Sequence, residues 1–95
     1  MQRVQRGWSD LDRWNMGGYL TQIIAEMARD MRLHHAGHPY RLTDGKWQAT
    51  LLEIEQAFAV GRRPWEGGGE LTEEEWQRMV RGFRLLRQYW FDLWD

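Results

Sequence analysis

His34, His35 and His38 are the first residues whose type and spacing could do chemistry. His34 and His38 are four apart, a spacing that holds a metal when both lie on one helical face. Gly37 and Pro39 interrupt a helix at that point, and no cysteine or nearby acid completes a ligand set. Three histidines at a helix C-terminus also complement the negative end of its dipole. The helix-end role is therefore the expectation, with neither metal nor cofactor.

A second group, Glu73-Glu74-Glu75, looks like a carboxylate cluster but falls where a helix begins, and there acids serve the dipole and the cap. Ser9 is the only serine and stands at another helix start. No nucleophile, base and orienting group can be assembled from what remains, so no catalytic site is expected.

The arginines are the third group. Twelve of the thirteen basic residues are arginine, against one lysine, Lys46. Arg78, Arg81, Arg84 and Arg87 step by three along one segment, and Arg62 and Arg63 lie in a glycine-rich stretch. As solvated surface, partly neutralised by Glu74 and Glu75, they need no ligand. As a site, guanidinium groups and aromatic faces would grip a nucleotide by charge and stacking. The residues expected to do so are Arg78, Arg81, Arg84, Trp65, Trp14 and His38. A net charge of −1 and the absence of a reading-head motif argue against duplex nucleic acid.

Three helices are expected to position these groups, in an all-α three-helix bundle spanning about 10–35, 44–60 and 73–94, behind a flexible arm at 1–8. A single domain then covers 9–95, with a glycine-rich loop at 61–70. Ser9 and Asp12 open the first helix, and Trp14, Leu20, Ile23, Ile24, Met27 and Met31 keep its apolar spacing. Gly17-Gly18 inside that helix costs about 1 kcal/mol per glycine relative to alanine. The pair is either a tolerated weakness or a kink, or a place where another backbone or a ligand comes within contact distance.

Leu-Thr-x-x-x-Trp-Gln occurs at Leu42–Gln48 and again at Leu71–Gln77. Each copy places Leu at N′, Thr at the N-cap and Trp at N4, the hydrophobic-staple arrangement, and Thr72 with Glu75 completes a capping box. Trp47, Leu51, Ile54 and Phe58 then form one stripe of the second helix. In the third, Trp76, Val80, Phe83, Leu86, Trp90 and Trp94 form an aromatic face that the rest of the chain is expected to cover. Tyr89–Trp94 is apolar almost all round, which suits either a core or a subunit interface.

Seven tryptophans exceed what so small a core encloses, and a homo-oligomer is the expectation. No cysteine is present and no apolar run approaches a membrane span, so a cytoplasmic protein without membrane contact is expected.

GWSDLDRWNMGGYL, HAGHPYRLTDGKWQATLLEIEQAF and GFRLLRQYWFDLWD, in that order, resemble a family of short phage-encoded proteins. That family shows a Trp-Ser-Asp…Trp-Asn opening, a Gly-His-Pro or Gly-Tyr-Pro…Leu-Thr…Trp centre and a Leu-Trp-Asp tail. This chain departs from it at Gly17-Gly18 and Gly45-Lys46. The resemblance implies a phage or prophage origin and action in the host cytoplasm, with no activity attached. By analogy, three roles fit: an anti-defence protein that sequesters a nucleotide immune signal between subunits, a protein–protein inhibitor of a host enzyme or defence protein, or a small virion assembly part.

Overall fold

A computed structural model describes residues 16–35 and 37–93. It is all-α: α1 Met16–His34, α2 Asp44–Gly61 and α3 Glu73–Gln88, with short 3-10 turns at Arg63–Glu66 and Trp90–Asp92. No strand occurs among the described residues, and no described helix is long and apolar enough to cross a membrane. The expected arm at 1–8, the start of the first helix, Trp14 and Trp94 lie outside the described residues.

α2 is the middle helix. Thr43 caps it, its hydroxyl accepting the Lys46 N–H at 3.1 Å. Its stripe Trp47, Leu51, Ile54 and Phe58 is fully buried, joined by Ala57 and Gly61. α1 and α3 each pack along α2 and make no comparable contact with one another. α2, not the C-terminal quarter, is thus the element the others are built around, a correction to the expected order of importance.

The reason lies in side-chain size. α1 turns Thr21, Ala25 and Ala28 onto α2, and α3 turns Met79 and Gly82. A Cβ added to Gly82 would run into the Cβ of Ala57, and one added to Gly61 would lie 2.5 Å from the Met79 sulfur. Both contacts need backbones closer than larger residues allow. With Gly, Ala and Thr taking much of the seams and Met79 filling the rest, the largest side chains of α3 face elsewhere. Trp76, Phe83 and Trp90 are all more than half exposed, so the expected aromatic face is not the buried face of α3.

α3 also stops earlier than the expected 94. Tyr89 leaves the helical region (φ −108°, ψ 21°), its ring meeting Trp47 edge-on at 5.5 Å between centroids. The Asp92 N–H then bonds to the Tyr89 carbonyl at 2.8 Å, closing a tighter turn. No strong helix former occurs in Tyr89-Trp90-Phe91-Asp92 to oppose this contact. Phe91, expected in a core or an interface, is 88% exposed in this chain.

The 61–70 loop is tied down despite its three glycines. Gly67, in the left-handed region at φ 78°, ends the Arg63–Glu66 turn. Arg63 reaches across to Glu75 with a two-pronged ion pair at 2.5 and 2.6 Å and to the Glu70 carbonyl at 2.9 Å. Trp65 packs back over α1, with its ring in the space a side chain at Gly17 would fill (2.8 Å from Cη2). What comes within contact distance of Gly17 is thus the side chain of Trp65, neither another backbone nor a ligand.

The two Leu-Thr-x-x-x-Trp-Gln copies give a direct test of this packing. Trp47 is 1% exposed and Trp76 is 53% exposed in the same local motif. Trp47→Ala is expected to cost about 3–5 kcal/mol, as for a large core truncation, and Trp76→Ala less than about 1 kcal/mol. Urea denaturation of the two variants checks the ordering.

Candidate binding groove

Placing small residues on α2 leaves each outer helix with a second, larger apolar face. On α1 the 100° step per residue puts Met16, Leu20, Ile23, Met27 and Met31 on one side, turned about 130° from Ala25 and Ala28. On α3 the same step puts Leu86, Phe83 and Trp76 beside the Met79–Gly82 seam. These faces rise on the same side of α2. Between them lies an apolar cavity of about 180 Å³, walled by Ile23, Met27 and Met31 on α1 and by Leu86, Trp90 and Leu93 on the other side, with Ile54 at its floor. Phe83 stands beside it, edge-on to the buried Phe58 at 5.0 Å.

The arrangement is suited to holding an apolar body. No described buried side-chain N or O atom lacks a hydrogen-bond partner, so no polar group in the interior awaits a ligand. Among the described residues no group of three or more His, Asp or Glu could hold a metal.

Among the described residues, the sequence-predicted site residues do not converge. Trp65 sits at the end of the bundle where α1 begins, against Gly17. His38 is exposed in the α1–α2 connection at the other end, its Nδ1 3.1 Å from the Pro39 carbonyl. Arg81 pairs with Glu53 of α2 at 2.6 Å. Arg78 and Arg84 are exposed, and Arg78 lies on the side of α3 away from the groove. Trp14 falls outside the described residues.

A second, shallow depression of about 420 Å³ lies among Ala59, Arg62, Arg63, Glu66 and Gly68. Its charges are internally matched, since Arg62 binds Glu66 at 2.9 Å and Arg63 binds Glu75.

Groove residues such as Met27, Met31, Leu86 and Leu93 were not among the expected site residues. The readable signal was that α1 carries two apolar stripes, one small and one large, where a single buried face needs only one. Comparison with protein-family models, with curated proteins and with solved structures gives no match to this chain.

Two ion pairs fix the ends of the helices that frame the groove. At the α1–α2 joint the largely buried His35 ring places Nε2 2.7 Å from Asp44 Oδ1 and Nδ1 3.0 Å from the Met31 carbonyl. Both nitrogens meet acceptors, so the protonated ring satisfies the site best. The Asp44 hydrogen bond raises the His35 pKa above 6.5, partial burial opposing and the helix-end carbonyls assisting. At the start of α3 the Arg63 pair, with the Thr72 N–H, lowers the Glu75 pKa from 4.5 to about 2.

A raised His pKa stabilises fully below the unfolded value and fades as pH climbs through the folded one; a depressed Glu pKa does the reverse. Stability is expected to fall as pH rises through and above 6.5, and again as pH drops from 4.5 towards 2. Urea midpoints measured across pH check both limbs, with His35→Gln flattening the first and Glu75→Gln the second.

Proposed function

We propose that this chain is a non-enzymatic binding protein that accepts an apolar segment of a partner protein, an amphipathic helix, between α1 and α3. The observation that carries the reading is that both outer helices direct large apolar side chains into a groove that Ile54 of α2 floors. A helix laid there engages both walls through residues at i, i+3, i+4 and i+7. Exposed apolar surface that is contiguous and rimmed by polar residues is characteristic of interaction sites.

With the resemblance to short phage-encoded proteins, the partner we propose is a host bacterial enzyme or defence protein, and the role an inhibitory, anti-defence one in the host cytoplasm. Of the three roles considered, this is the protein–protein inhibitor. The nucleotide-sequestering role has weaker support, because Arg62 and Arg63 are matched by acids, Trp65 and His38 lie at opposite ends of the bundle and Arg78 lies on the side of α3 away from the groove.

Site-specific photo-crosslinking in bacteria expressing the chain tests the reading. A photoreactive residue at Met27 or Trp90 is expected to capture a protein of foreign mass, and one at Arg78 is not. Equal capture from all three positions would overturn the groove as the site. A thermal shift with a cyclic oligonucleotide or ADP-ribose derivative that disappears in Arg78→Ala or Arg81→Ala would transfer the function to the nucleotide role.

A further inference from the structure

Beyond the partner reading, and independent of it, we propose that a second copy of this chain closes the groove face in a symmetric dimer. Its two-fold axis runs parallel to α1 and α3, so that α1 of each copy lies over α3 of the other.

Charge differs between the two walls. On α1, Asp30 lies seven residues after Ile23 and so about 20° from it, and Glu26 about 60° from it, both on the side away from α2. On α3, Arg87 lies four residues after Phe83, about 40° further out, with Arg84 about 100° out. All four are exposed. Neither arginine meets an acid among the described residues, and neither acid meets a basic group there. The groove thus has one acidic edge and one basic edge.

The charges also stand at matching levels. A Cβ at Gly61 would approach both Met79 of α3 and Thr21 of α1, so those two residues stand at one height along the bundle. Five residues further along each helix come Glu26 and Arg84, and beyond them Asp30 stands within one residue of the height of Arg87. A two-fold axis parallel to these helices keeps height and exchanges the two walls. It sets Glu26 of one copy against the partner's Arg84, and Asp30 against the partner's Arg87. An axis across the helices would set acid against acid. An isologous interface needs a surface complementary to itself, and this face meets that need in one orientation.

The uncovered apolar area is large enough for a pair. Trp76, Phe83 and Trp90 are each half exposed or slightly more, which leaves roughly 300 Å² uncovered on a scale of about 150–250 Å² per ring. Met16, Leu20 and Met27, also exposed, add a comparable strip. About 600 Å² per copy gives roughly 1,200 Å² for the pair, the lower edge of specific, stable interfaces. The apolar strip supplies the affinity, and the edge charges set orientation. A foreign partner would then gain the groove by displacing a copy.

Charge reversal tests the arrangement. Sedimentation of the wild-type chain across a dilution series is expected to show a species of twice the 11.5 kDa chain mass. A chain with Arg84→Glu and Arg87→Glu carries acid on both edges; one with Glu26→Lys and Asp30→Lys carries base on both. Each is expected to be monomeric alone, and their equimolar mixture dimeric. Met27→Glu, an exposed substitution at the centre of the face, is expected to give a monomer with unchanged helicity by circular dichroism. A wild-type chain that stays monomeric, reversed chains that dimerise alone, a mixture that does not dimerise, or a dimeric Met27→Glu chain would each overturn the proposal. Foreign adducts from Met27 in cells would be unaffected by that failure, which keeps the two readings separable.

Discussion

The close approach of α2 to its two neighbours is the constraint from which the rest follows. Gly82 against Ala57, and Gly61 against Met79 and Thr21, are contacts that leave no room for a further carbon. They favour the smallest residues at the seams, and dispersion and burial there are gained through backbone proximity. The large side chains of α2 fill the space beneath, which is why Trp47, Leu51, Ile54 and Phe58 are the most deeply buried large residues described. The large side chains of α1 and α3 are then left at the margin. The groove is a consequence of how the helices meet, and its apolar walls are the residues that this meeting excludes.

Two electrostatic fastenings hold that geometry at opposite ends. His35 and Asp44 join the end of α1 to the start of α2. Arg63, through Glu75, joins the glycine-rich loop to the first turn of α3. Both use the unsatisfied groups of helix termini, carbonyls in one case and the capped N–H of Thr72 in the other. The loop that composition marks as free is in this way committed to the scaffold. Its arginine, a candidate for gripping an anion, has a structural partner.

Much of this was legible in the residues. The three helices, the Thr43 and Thr72 caps and the α2 stripe follow from periodicity and capping chemistry, which act locally. The helix-end role of His35 was legible for the same reason. What could not be read was the rotation of α1 and α3 about their own axes. Hydrophobicity alone ranks Trp76, Phe83 and Trp90 above Met79 and Gly82, yet the inner face went to the smaller pair because helix separation, a tertiary quantity, decided it. The early end of α3 has the same origin, since Tyr89 leaves the helix to meet Trp47, a residue more than 40 positions earlier. Gly17-Gly18 was ambiguous until Trp65, also remote in sequence, was seen to rest on it.

Which faces of α1 and α3 point outward decides whether the groove exists, and the methionines report this directly. Met16 and Met27 are exposed on the groove face, whereas Met79 is buried at the α2 seam. The measurement is the rate of oxidation at each methionine, read by mass spectrometry on the dilute, monomeric chain. Met16 and Met27 are expected to oxidise much faster than Met79. Rapid oxidation of Met79 beside a protected Met27 would mean that the outer helices are turned the other way, and the groove with its charged edges would not exist.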